Sequence, residues 1–281
     1  MPAVFIFIVL AVITVIAIGA VLLTSGLIIK NTLPNIIGPA EKTPEIAVIH
    51  IEGTMMADRS SGSSNSACSS DIVRELIKAT EDDNVRAIVL RVNSPGGTPV
   101  AAEEILSQVD KTRKKKPVVV SMGDIATSAG YYVSSSADRI IANPDTFTGS
   151  IGVIWVFKNR TQYYNEEGIN FYIAKSGNYK DAGADYRGLS EIEKEYAQTI
   201  INETYDRFIS TVARGRNMTV EEVEAIADGR VYTGSKAKEL GLVDELGGLY
   251  DAVEVAAKLG NAGNKIMVVH MNEPPLTGAT E

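Results

Sequence analysis

The sequence predicts an α/β domain on a mainly parallel sheet, set behind one apolar N-terminal transmembrane helix. Three observations predict it. Ile46 to Ile51, Val85 to Val92 and Pro117 to Met122 are short, mostly apolar runs without clean alternation, as in strands covered on both faces. The stretches between them carry helical spacing, and strands alternating with helices imply crossovers and a parallel sheet. At 281 residues and 45% hydrophobic content, the chain is long enough to enclose a sizeable core.

Pro2 to Ile29 contains no charged residue. As a helix this run would measure roughly 42 Å, more than the ~30 Å hydrocarbon core of a bilayer. No Lys or Arg precedes it, and Ala17-Ile18-Gly19-Ala20 is a weak processing site, so it reads as a retained anchor and not as a cleaved signal. The expected organisation is an anchor over 1–30, a Pro- and Gly-containing linker over 31–44, one domain over 45–265 and a tail over 266–281, disordered towards its end. Lys30 and Lys42, the first basic residues, lie after the run and lightly favour that side being cytoplasmic, but two charges are a weak signal and large domains cross membranes with little regard to nearby charge. The expected location is the cell membrane, single-pass, with the domain on the extracytoplasmic side.

Within the domain, Ile46 to Ile51 is the first strand. Seven of the eleven residues from Ser60 to Ser70 are serine, so 57–70 reads as a flexible loop near the site or as a surface insertion without function. Asp71 is expected to cap a helix to Glu81, followed by a strand from Val85, a helix from Val100 to Lys115 and a strand from Pro117. Beyond a helix after Ser128, strands are expected at Arg139 to Ala142, Ile151 to Phe157 and Asn170 to Ala174. Ser190 with Glu193 and Thr219 with Glu222 are capping boxes that open two further helices. Helices at Ser235 to Leu240, stopped by Gly241, and Leu249 to Leu259 complete the pattern.

Net charge is −8, which disfavours nucleic acid as a partner. Lys111 to Lys116, basic at five of six positions, reads as the charged end of a helix. The single cysteine, Cys68, can form no internal disulfide and has no cluster of metal-ligating neighbours. Neither metal nor cofactor is expected.

Gly123-Asp-Ile-Ala-Thr-Ser-Ala-Gly-Tyr-Tyr132 sets one serine among small residues where a strand turns into a helix, so the first helical N–H groups face whatever lies over Ser128. Asn93-Ser-Pro-Gly-Gly97 is a second turn after a buried strand, able to present N–H groups outward. The two could form an oxyanion hole.

A serine hydroxyl needs a base. Only His50 and His270 are present, one inside a strand and one at the start of the tail, so a Ser-His-Asp triad is not expected. A lysine can serve when its surroundings bring an ammonium from about 10.4 towards 7 or 8. Lys180, flanked by Gly177 and Gly183, is one candidate and Lys175 the other; the spacing leaves both open.

Asn93-Ser-Pro-Gly-Gly97, Gly123 to Tyr132, Thr148-Gly-Ser-Ile-Gly-Val153, Ser176-Gly-Asn-Tyr-Lys-Asp181 and Gly229-Arg-Val-Tyr-Thr-Gly234 occur in the order found in the signal peptide peptidase A family. The chain resembles its short, single-domain form over roughly residues 45–260. That resemblance implies a ClpP/crotonase-like fold of repeated ββα units and a serine endopeptidase with a Ser-Lys dyad. It places the nucleophile on Ser128, the general base on Lys180, the lysine-orienting hydroxyl on Ser150 and the oxyanion hole on the N–H groups of Gly97 and Ala129. Many relatives have glycine at the position of Ala129, but only the N–H is needed. The resemblance further implies a ring-shaped homo-oligomer, in which neighbouring subunits can combine serine and lysine. Its substrates would be signal peptides left in the membrane after preprotein processing.

Two other readings remain. A stomatin-associated membrane Ser-Lys protease of the same fold usually carries further spans after the protease domain, and no apolar span follows Ile29 here. A non-catalytic membrane scaffold would keep the fold without labelling at Ser128.

Overall fold

The computed structural model describes residues 14, 16–17, 43–58 and 66–272. It divides into two units, Met1–Lys42 and Thr43–Glu281. In the first, Thr14, Ile16 and Ala17 are helical. The remainder of the expected anchor, the linker as far as Lys42, the centre of the Ser-rich segment (59–65) and the last nine residues lie outside the described residues. Among the described residues no helix is long and apolar enough to cross a membrane.

The second unit is a mixed α/β fold. Its sheet is built from β1 (Glu45–Glu52), β4 (Val85–Ser94), β5 (Val118–Thr127), β6 (Arg139–Ala142), β7 (Phe147–Gly149), β8 (Val231–Thr233), β9 (Glu245–Leu246) and β10 (Met267–His270). The order along the main path is β10-β1-β4-β5-β6-β9, with every neighbouring pair parallel. A separate parallel pair joins β2 (Thr54–Met56) to β3 (Ser66–Cys68).

Both faces of the central strands are covered, which is why their sequences do not alternate. Ala47, Ile49 and Ile51 of β1 and Ile88, Leu90 and Val92 of β4 pack with α1 (Ser69–Glu81) and α2 (Pro99–Arg113). Ile46 and Val48, with Ala87, Val89 and Val119, face α8 (Leu249–Leu259) through Ala252, Val253 and Ala256. Each such Ile, Leu or Val contributes roughly 1.5–3 kcal/mol by leaving water.

The first expected ββα unit is explicit in β1, β2 and α1, with β3 interposed. In the second, the second strand is reduced to one bridge between Gly97 and Met55. In the third, β5 continues through a bulge. Val92 pairs with Met122 but Ser94 pairs with Ala126, so Gly123 to Ile125 loop out of register. Asn93 fills that bulge, accepting from the Ile125 amide at 3.3 Å, and Gly123 leaves it room: a Cβ there would lie 2.9 Å from Asn93 Oδ1. The far end of β5 then pairs with β7.

Four expectations need correction. The helix expected from Asp71 starts two residues earlier with Cys68 as its N-cap; Asp71 sits in the first turn, where its carboxylate still complements the dipole. Ile151 to Phe157 and Asn170 to Ala174 form no strands, because their apolar residues find no partner strand among the described residues, and Ile154, Trp155, Val156 and Phe171 to Ile173 stand exposed. The strand in that region is β7, pairing antiparallel with β8, and the helix there is α4 (Thr161–Glu166). Residues 266–270, read as the start of a tail, contain β10, which adds Met267 to His270 to the open edge of β1. Both capping boxes form, opening α5 (Glu191–Arg216) and α6 (Val220–Glu224), and α7 (Gly234–Glu239) ends before Gly241 at φ 77°.

Candidate active site

Ser128 lies between β5 and α3 (Ala129–Ser134) with φ 53° and ψ −120°, a conformation that costs a non-glycine residue about 1–3 kcal/mol. Its surroundings hold it there. The Ser128 amide donates to the Gly149 carbonyl at 2.9 Å, and its carbonyl accepts from Tyr132 N at 2.8 Å. The small residues noted around it have a purpose: a Cβ on Gly130 would stand 2.9 Å from the Ser94 carbonyl, so only glycine lets α3 sit this close to the end of β4.

The turn after β4 lies directly against the serine. Gly96 has φ 117°, and a Cβ there would meet Ser128 Cβ at 3.0 Å and the Ala129 amide at 3.2 Å. Buried Ser94 fixes the turn by accepting from Gly96 N at 3.1 Å, and Thr127 Oγ1 donates to the Pro95 carbonyl at 3.0 Å. Met55 and Thr98 amides close it from the far side. Among the described residues, the Gly97 and Ala129 N–H groups have no intramolecular acceptor. Two unpaired donors flanking a hydroxyl are what an oxyanion hole requires.

These groups open on a cleft of about 1340 Å³ lined by Gly97, Ser128, Ala129 and Ser150. Ser150 takes φ 48°, with its amide bonded to the Arg230 carbonyl at 2.8 Å. The cleft is further walled by Val100, Tyr132, Ile201, Tyr205 and Phe208. This apolar wall was not anticipated, although Tyr132 is one helical turn after Ser128 and so had to face the same side. Tyr132 packs edge-on to Phe208 and donates to Glu103 Oε2 at 2.5 Å. Burial first, and then the Glu103 bond, push its phenol up to about 12, so it remains a neutral donor.

Neither histidine lines the cleft. His50 Nε2 instead meets His270 Nδ1 at 2.9 Å across β1 and β10, and His50 Nδ1 meets Glu52 at 3.1 Å.

Four of the five expected site residues therefore come together, and the fifth does not. Lys180 is exposed on the turn at 176–183 and does not line the cleft of its own chain. Among the described residues its Nζ has no hydrogen bond or ion pair. Lys175, the other candidate, is committed elsewhere: its Nζ pairs with Asp181 at 2.6 Å and donates to the Asn178 carbonyl at 3.2 Å.

Residues 110–263 match peptidase family S49, and residues 49–146 match Clp protease. The Synechocystis sp. protein named "Putative protease slr0021" is 42% identical over 187 residues, covering 66% of this chain and 68% of that one. Protease 4 of Haemophilus influenzae is 39% identical over 77% of this chain and 35% of its own length. The Enterococcus faecium protein named "Putative signal peptide peptidase SppA" is 36% identical over 72% of this chain and 59% of its own. The chain thus spans less than two thirds of the last two.

Proposed function

The chain belongs to peptidase family S49, a family of serine-type proteases, and from that premise we propose that it is a membrane-anchored endopeptidase with a Ser128–Lys180 dyad shared between neighbouring copies. The carrying observation is Ser128, held at positive φ between two unpaired N–H groups and beside Ser150 in one cleft.

In this reading the neutral Lys180 amine of an adjoining copy, oriented by the Ser150 hydroxyl, takes the Ser128 proton as Oγ attacks the scissile carbonyl. The Gly97 and Ala129 N–H groups receive the oxyanion. The ammonium then protonates the departing amine, leaving an acyl-enzyme. Water, deprotonated by the same amine, attacks the ester and releases the second product.

The segment between β7 and α5 supports sharing between copies. Ile154 (87% exposed), Val156 (72%) and Tyr172 (94%) are large apolar side chains left in water on one segment, and Lys180 follows on the same segment. A second copy of the chain in a closed ring would cover it. Apolar cleft walls suit hydrophobic peptides, and the uncharged run 2–29 would keep the cleft near a membrane, where signal peptides remain after processing. The same run supports a single-pass location, and an extracytoplasmic domain is the reading that protease accessibility in intact cells tests.

The direct test treats the full-length protein with a fluorophosphonate and assays cleavage of an apolar peptide. Labelling should fall on Ser128, and Ser128→Ala should lose both labelling and cleavage. Folded protein that neither labels nor cleaves would favour a scaffold.

A further inference from the structure

The turn that carries Lys180 belongs to no helix or sheet, yet one side-chain cluster ties it to the start of α5. Arg187 forks between two carboxylates. Its Nη2 and Nε reach Asp181 at 2.8 and 3.0 Å, and its Nη2 and Nη1 reach Glu193 at 2.6 and 2.8 Å. Glu193 is the capping-box residue of α5, also accepting from the Ser190 amide at 2.8 Å. Asp181 additionally accepts from Lys175 Nζ at 2.6 Å and from the Tyr186 hydroxyl at 2.9 Å.

We propose that Arg187 is a positioning residue for Lys180: by clamping Asp181 to Glu193 it seats the lysine's turn on the end of α5 and keeps the adjacent carboxylate occupied, so that the Lys180 amine stays free to serve Ser128. This rests on the reading of Lys180 as the general base.

Two physical points carry it. A general base must be neutral, and a carboxylate within reach of an amine favours the ammonium. Asp181 is the next residue in the chain, but its two oxygens already take four donors, about the full capacity of a carboxylate. Lys175 and Arg187 supply the positive charge that would otherwise be drawn from Lys180. The second point is geometric. The other side of the turn is seated by Gly183 at φ 79°, where a Cβ would stand 2.5 Å from the Phe157 ring, so the turn is fixed from two directions. Arginine is required because only a planar fork spans two carboxylates at once. Its bonds hold the Glu193 carboxyl down to about 2 and Asp181 lower than its ordinary range.

The test uses the full-length protein and an apolar peptide, comparing kcat, KM, pH profile, thermal unfolding and oligomer mass for the wild type, Arg187→Ala, Arg187→Lys, Arg187→Ala with Asp181→Asn, and Lys180→Ala. Arg187→Ala should lower kcat by about 10–100-fold with KM little changed, as for a misplaced catalytic group. Its acid limb of kcat/KM should move to higher pH, Arg187→Lys should behave likewise, and adding Asp181→Asn should return the limb while kcat stays low. Unchanged kcat and limb in Arg187→Ala, with Lys180→Ala inactive, would overturn the clamp and leave the base assignment standing. Activity surviving in Lys180→Ala would overturn the base assignment, and the clamp with it. Should Arg187→Ala fail to fold, Glu193→Gln weakens the fork while keeping the cap and leaves Asp181 occupied, so kcat should fall with the limb in place, and an unchanged kcat there would also overturn the clamp.

Discussion

The Ser128 amide donates to the Gly149 carbonyl at 2.9 Å, which fixes Ser150, the next residue, at the lip of the nucleophile's own cleft. Ser150 takes φ 48°, a conformation glycine would adopt more easily, so the chain carries strain there. Ser150→Gly should relieve the strain and unfold at or above the wild-type temperature, yet lose kcat by about 10²-fold, the scale of lost proton-transfer assistance. Ser150→Ala should lose the same activity without the stabilisation. Full kcat in the glycine variant would show that the hydroxyl takes no part.

Gly96 is the point at which the two turns touch. A methyl group there meets Ser128 Cβ at 3.0 Å, on a backbone at φ 117° that side chains rarely adopt. Gly96→Ala should cost about 1–3 kcal/mol in strain, and push the two N–H groups apart. The expected readout is kcat/KM down by about 10²-fold or more, with slower fluorophosphonate labelling of Ser128. Normal labelling at an unchanged unfolding temperature would remove Gly96 from the site's construction.

Those two turns were legible in the sequence because each is punctuated by Gly, Pro or Ser directly after an apolar strand, and local backbone chemistry decides both. The helices with capping boxes, Ser190 with Glu193 and Thr219 with Glu222, were legible for the same reason. Ile151 to Phe157 and Asn170 to Ala174 were misread because apolar runs signal burial without saying against what. Among the described residues these runs have no strand to pair with, and most of their large side chains, Ile154 to Val156 and Phe171 to Ile173, remain in water although Ile151 is buried. Met267 to His270 was missed for the opposite reason: four residues near a terminus carry too little apolar area to announce a strand, and the open edge of β1 supplies the hydrogen bonds. That Asp181 pairs with Lys175 and not with Lys180 was not legible either, since a turn's side-chain partners depend on how it is folded.

Acid should weaken the clamp in a defined window. The Arg187 fork, and then the Ser190 amide, lower the Glu193 carboxyl from its ordinary 4.5 to about 2. A group depressed on folding stabilises fully above its unfolded value, and that contribution drains away as pH falls through the folded one. Stability should therefore decline between pH 4.5 and about 2, with Asp181 acting in the same direction. Thermal unfolding followed across that range should give a shallower curve for Glu193→Gln than for the wild type. Identical slopes would mean that the pair is broken in solution.

Sharing of the dyad between copies makes a prediction that no single-chain site could satisfy. Ser128→Ala keeps its lysine and Lys180→Ala keeps its serine, so each alone should be inactive. Mixed and reassembled, a Lys180→Ala copy beside a Ser128→Ala copy has one complete site, and peptide cleavage should return. Tyr172→Asp, placing a charge at a side chain 94% exposed in the separate chain, should break the apolar contact. It should yield smaller assemblies by sedimentation, with cleavage lost although unfolding temperature is kept. Were the mixture to stay inactive while mixed assemblies form, Lys180 would have to reach the serine of its own chain, and the turn at 176–183 would have to move to the cleft it does not line.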